Sequence, residues 1–132
     1  MDVFTLLQSY LPDIVCHDEF INELNHLLSH DLSGKQVPFG KAVLQQLMFI
    51  KQFGRNIHLA DSNELLKYTD KSNRSYCSIH LKRKEFNVRF LAYVDDKTYL
   101  LCAFYERSGK QKTSYQNYIP VLEKRLQDLK GG

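Results

Sequence analysis

Residues 75–106 read SYCSIHLKRKEFNVRFLAYVDDKTYLLCAFYE. Three runs rich in aromatic and β-branched residues, 76–81, 86–94 and 99–106, are separated by two polar turns, Lys82-Arg83-Lys84-Glu85 and Asp95-Asp96-Lys97. Runs of this length and composition, divided by short charged turns, predict an antiparallel meander. Strand side chains alternate between faces, so Phe86, Val88 and Phe90 should point one way and Asn87 and Arg89 the other. In the third run, Leu100, Cys102 and Phe104 are expected to share a face. An arginine on the non-core face of a central strand is costly unless that face is wet, paired or used.

Upstream, the hydrophobic period changes. Phe20, Ile21, Leu24, Leu27 and Leu28 fall on one face of a helix over residues 18–30, with Asp18 at the positive end of its dipole and Gly34 just past its end. A second helix is expected after Pro38, with Val43, Leu44, Leu47, Met48 and Ile50 as its stripe and Gly54 as its stop. Asp61-Ser62-Asn63-Glu64 is expected to cap a short turn carrying Leu65 and Leu66. Residues 2–11 are apolar and fit either a strand or a short helix. Downstream of a glycine loop, Leu122, Leu126 and Leu129 mark a final helix. Asn117 as its N-cap would put Pro120 in the first turn, where a missing N–H costs nothing. The order implies an α+β domain over residues 1–132, with two helices on one face of a small antiparallel β-sheet and a further helix at the C-terminus.

A chain of 132 residues that is 43% hydrophobic and 25% charged can bury a core without staples. The three cysteines, Cys16, Cys77 and Cys102, are odd in number and lack CxxC spacing, which argues against a disulfide framework or a zinc site and for reduced thiols in a cytoplasmic protein. No apolar run reaches membrane-spanning length, and Met1-Asp2-Val3 lacks a basic leader region, so neither a membrane span nor a signal peptide is expected. The net charge of +3 is unevenly spread. Residues 1–66 hold four Lys/Arg against eight Asp/Glu, and residues 67–112 hold eleven against five. Such asymmetry marks a cationic face that attracts polyanions.

The candidate site follows from that face. Lys82, Arg83 and Lys84 sit at the first turn, with Arg89 in the strand beyond it. The segment YERSGKQKTSY, 105–115, carries Arg107, Lys110 and Lys112 between tyrosines, and Tyr118 follows. Cations interleaved with aromatics can clamp phosphates and stack bases. The plainer reading is a hairpin kept soluble by charge, with Arg89 paired to an Asp or Glu, and a solvated loop after it. Other chemistry lacks its residues. His26 and His30 are spaced as a helical metal pair but have no third ligand, and P-loop, GxGxxG and GxSxG motifs are absent.

The run from Ser75 to Thr113 resembles the RelE/HigB toxins of type II toxin–antitoxin systems, in particular their phage-derived HigB-like branch. The resemblance rests on Asn87-Val88-Arg89-Phe90, on Val94-Asp95-Asp96 and on the segment AFYERSGK at 103–110; it covers about 40 residues closely, and the order of helices is consistent over about 100. It implies a RelE-like, microbial RNase-like α+β fold. It also implies a metal-independent endoribonuclease that needs no cofactor, cleaves mRNA on the ribosome and is neutralised by a cognate antitoxin. In such toxins the ribose 2′-OH attacks the adjacent phosphate, which needs a proton acceptor, cations for the developing charge and a donor for the leaving oxygen. Carried over by motif, Arg89, Arg107 and Lys110 would stabilise the phosphate, Tyr115 or Tyr118 would stack or assist proton transfer, and Lys82, Arg83, Lys84 and Lys112 would hold the RNA backbone. Glu106 stands where a basic residue is common, Ser114 replaces a usual proline, and His80 does not align clearly with the catalytic histidine of some HigB proteins. These departures leave the acid and base unassigned. Alternatives on the same reading are a ParE-like poison of DNA gyrase and a nucleic-acid-binding domain without chemistry.

Overall fold

The computed structural model describes residues 3–10, 13–60, 63–67, 75–106 and 115–131. In chain order they form α1 (Val3–Tyr10), β1 (Ile14–Cys16), α2 (Asp18–Ser29), α3 (Gln36–Phe53), β2 (Glu64–Lys67), β3 (Ser75–Arg83), β4 (Phe86–Val94), β5 (Thr98–Tyr105) and α4 (Ile119–Lys130). Single 3₁₀ segments lie at Gly54–Leu59 and Tyr115–Tyr118.

The meander forms, with β3, β4 and β5 antiparallel, but Lys82 and Arg83 extend β3 instead of lying in the turn, because they pair with Asn87 and Phe86, and Lys84-Glu85 alone make the turn. The sheet is larger than expected and mixed: its order is β1-β5-β4-β3-β2, and β1 runs parallel to β5. The ambiguous N-terminal segment is a helix. Glu64 to Lys67 form a strand against β3 rather than a helical turn, because the Ser75–Ser78 edge is there to be paired. Asp61 and Ser62 of the expected cap lie outside the described residues. The α3 helix begins before Pro38, at Gln36, with Pro38 in its first turn where no helical N–H is lost. Its buried face is Phe39, Ala42, Val43, Gln46, Leu47 and Ile50, which turns Met48 out to solvent at 52% exposure.

Two cores lie on opposite faces of the sheet. On the first, α1, α2 and α3 cover Ile79, Leu81, Phe86, Val88, Phe90 and Ala92. Phe90 meets Phe20 of α2 edge-on at 5.0 Å and Phe39 of α3 at 6.2 Å, so both helices converge on β4. On the second face, α4 lays Leu122 and Leu126 over Tyr76, Leu91, Tyr99 and Leu101. The helices therefore form two layers with the sheet between them, α2 and α3 on one face as expected and α4 on the other.

The expected face of β5 needs one correction. Leu91 pairs with Cys102 but Ala92 pairs with Leu100, leaving Leu101 as the extra residue of a β-bulge. Leu100 consequently joins the first core, while Leu101, Cys102 and Phe104 join the second. The cap of α4 is also different. Tyr118, not Asn117, occupies the N-cap without a side-chain bond, and Pro120 sits in the first turn as expected.

Candidate functional site

The α4 helix covers only part of the second face. The remainder is a grid of polar side chains set by strand register. His80 of β3 lies opposite Arg89 of β4, which lies opposite Phe104 of β5. In the neighbouring row Lys82 lies opposite Asn87, and the Glu106 N–H donates to the Asn87 carbonyl at 2.8 Å. Ser78, His80 and Lys82 share this face because they sit two residues apart on one strand.

These side chains are joined. Arg89 Nε donates to Glu106 Oε2 at 2.8 Å, and Arg89 Nη1 to Ser78 Oγ at 3.3 Å. His80 Nε2 meets Asn87 Oδ1 at 2.5 Å and stands 4.0 Å from Glu106 Oε2. Arg89 is 5% and His80 9% exposed, so both charges would be costly without partners, and Arg89 has them. Burial holds the His80 imidazole below its ordinary value of 6.5; Arg89 and Lys82 push the same way, while the Asn87 contact and Glu106 push back. An imidazole kept neutral at pH 7 can accept a proton, and an arginine beside it can stabilise an anion.

The His80 backbone is fixed as well. Its N–H donates to Asn63 Oδ1 at 2.7 Å and its carbonyl accepts from Gln46 Nε2 at 3.3 Å, taking over where β2 stops pairing. Tyr118 stacks on Phe104 with ring centroids 5.0 Å apart and planes within 3°. Burial, then Cys102 and Glu23, raise the Tyr118 phenol, which keeps it a neutral hydroxyl.

The residues read from sequence divide as follows. Arg89 and Lys82 share the second face in neighbouring rows, Lys82 exposed and Arg89 buried, and Tyr118 stacks on Phe104, the residue opposite Arg89. Lys84 is exposed at the turn. Arg83 belongs to the opposite side of β3, where Nη2 donates to Gln45 of α3 at 2.6 Å, so register separates it from the group. Arg107, Lys110 and Lys112 lie outside the described residues, and only the backbone of Tyr115 is described. The described chain on either side, Glu106 and Tyr118, borders this same end of the sheet. Sequence reading missed His80 and Asn87 as members of one site with Arg89. The signal that finds them is period-two alternation applied to β3 as well as to β4.

Among the described residues no group of three or more His, Cys, Asp or Glu could hold a metal ion, and no described helix is long and apolar enough to cross a membrane. His26 and His30 are exposed and stack on each other at 4.0 Å. No family model, curated protein or solved structure matches this chain.

Proposed function

We propose that the chain belongs to the class of small α+β proteins that bind RNA on a cationic sheet face and cut it with their own side chains. Within that class, the reading its residues support best is a RelE/HigB-type toxin, an endoribonuclease acting on mRNA at the ribosome and neutralised by a cognate antitoxin. One observation carries this: His80 of β3, Asn87 and Arg89 of β4 and Glu106 just after β5 are joined on the part of the second face beyond the α4 core, largely buried, with Lys82 exposed beside them. A neutral His80, its Nε2–H given to Asn87 Oδ1, accepts the 2′-OH proton at Nδ1 as the 2′ oxygen attacks phosphorus. Arg89 balances the charge that develops on the phosphorane. The P–O5′ bond then breaks and the 5′ oxygen takes the proton from the His80 imidazolium, leaving a 2′,3′-cyclic phosphate, a 5′-hydroxyl and neutral His80. The buried position of the arginine limits reorganisation as charge develops. An antitoxin of this system would be expected to present acidic or helical surface to the same cationic face.

The test is induction of the chain in a bacterial host with mapping of mRNA 5′ ends. New 5′-hydroxyl ends inside coding regions are expected, and Arg107→Ala and the double variant Arg89→Met/Glu106→Gln, which strands no buried charge, should abolish growth arrest, with circular dichroism checking that each stays folded. Full toxicity of both variants would remove these residues from the site. Intact mRNA with a DNA-damage response would instead identify a gyrase poison. The pairing of Arg89 with Glu106 favours a second reading, a cationic binding surface without chemistry; it predicts RNA binding that falls steeply with salt and RNA that stays intact.

A further inference from the structure

Glu106 is the acidic member of the His80–Asn87–Arg89 group, and its backbone is pinned to Asn87 at the end of the sheet. From there its carboxylate reaches both flanks of the site, 2.8 Å from Arg89 Nε and 4.0 Å from His80 Nε2. A guanidinium engages a carboxylate and a phosphate through the same N–H edges. The carboxylate therefore stands where a phosphodiester oxygen must go if Arg89 and His80 are to act on it together. The pair is also unequal: the Arg89 side chain is 6% exposed and the Glu106 side chain 23%. The cation is fixed in the fold, whereas the carboxylate is the more exposed member of the pair.

We infer that Glu106 is a resident competitor for the anion position between Arg89 and His80, and that an RNA phosphate enters by displacing its carboxylate. The inference rests on the RNA-binding reading above. It assigns Glu106 a regulatory part in that site: it balances the Arg89 charge before RNA binds and sets a threshold that only a well-placed phosphate overcomes. Two anions on one guanidinium repel each other, so the carboxylate and the phosphate exclude one another. A purely scaffolding Glu106 makes the opposite prediction, since its loss would leave Arg89 less well held and RNA less tightly bound.

The experiment measures binding of a fluorescent single-stranded RNA with 2′-O-methyl riboses, which cannot be cleaved, to the full chain. Glu106→Gln keeps the shape and an acceptor for Arg89 Nε but removes the charge. It should bind this RNA about fivefold more tightly than the unaltered chain at low salt, the size expected for one partly exposed charge pair, and the gain should shrink as salt rises. Unchanged or weaker binding overturns the inference. The double variant Arg89→Met/Glu106→Gln replaces the ion pair by a neutral pair of similar volume and so avoids a stranded buried charge. It should lose the gain and bind more weakly than the unaltered chain. If it binds as tightly as Glu106→Gln, the RNA site is not at Arg89, and the function reading fails together with the inference. If it loses binding while Glu106→Gln gains nothing, the inference alone fails. Proton NMR of His80 without RNA gives an independent readout. Among Asn87, Arg89, Lys82 and Glu106 around the ring, Glu106 is the anion, so Glu106→Gln should move the His80 titration to lower pH. An unmoved titration overturns the geometry on which the inference stands.

Discussion

His80 shows how much a single side chain carries here. Burial, with Arg89 and Lys82, depresses its pKa in the folded chain below 6.5. The unfolded chain then takes up this proton first as pH falls, so the contribution of His80 to stability is intact above pH 6.5 and is lost as pH drops below it. Urea unfolding should show the unaltered chain losing more stability between neutral and mildly acidic pH than His80→Gln does. An equal loss in both would remove His80 as the source. The cysteines make a second prediction at this scale. Burial pushes the Cys77 thiol up to about 12, the Cys102 thiol, with a further push from Glu23, up to about 12, and the Cys16 thiol up to about 11. Thiolate is the reactive form, so the native chain should react slowly with a disulfide reagent at mildly alkaline pH, and all three thiols should react promptly once the chain is unfolded. Rapid labelling of any one of them in the native chain would contradict this.

At the scale of elements, the design problem is how a mixed sheet ends. The β1 strand pairs only Thr98–Leu100 of β5, and β2 pairs only Ser75–Ser78 of β3. Side chains close both edges where pairing stops. Asn63 and Gln46 satisfy the His80 backbone on one side. On the other, Glu23 accepts from the Ala103 N–H at 3.0 Å and Arg125 Nη1 donates to the Leu101 carbonyl at 2.8 Å, the two also pairing with each other at 3.0 Å. Capped in this way, these stretches of β3 and β5 do not offer themselves to other chains. The same contacts fix α4, which is further tied by Tyr76 to Glu123, by His17 to Asp128 at 3.0 Å and by Lys130 to Asp95 at 2.9 Å. Its apolar side matters more. Leu122 and Leu126 are fully buried, and Leu122→Ala should destabilise the chain by about 2–5 kcal/mol in urea unfolding. Lys130→Ala, whose partners lie at the surface, should shift the same curve by less than about 1 kcal/mol.

For the whole molecule, the site exists because one face of the sheet is shared between packing and function. Residues of α4 and polar groups of the bare end lie on the same three strands, one above the other. Removing residues 115–132 should therefore expose Tyr76, Leu91, Leu101 and Cys102 next to the polar grid. We expect the shortened chain to bind a hydrophobic dye and to associate, seen by light scattering, whereas the full chain stays dispersed. A shortened chain that remains monomeric and dye-free would show that α4 is not needed to seal the second core.

The amino-acid sequence determined the meander, its turns, the alternation of β4 and the positions of α2, α3 and α4, because these rest on local period and turn chemistry. It also placed Arg89 on the face opposite Phe86, Val88 and Phe90 and raised the possibility of an acidic partner for it, but that face carries a second core and Arg89 is buried in it. Tertiary structure decided the rest. Whether Val3–Tyr10 is helix or strand depended on a groove against α3, and whether Glu64–Lys67 is turn or strand depended on an unpaired edge of β3. The bulge at Leu101 turned Leu100 away from Cys102 and Phe104, a shift that side-chain pattern alone does not reveal in a run that is apolar at every position. Most of all, register chose Glu106 over any other acid as the partner of Arg89 and set His80 opposite that arginine. Pairing between strands distant in sequence is fixed by the packing of both faces at once, and that information is spread over the entire chain.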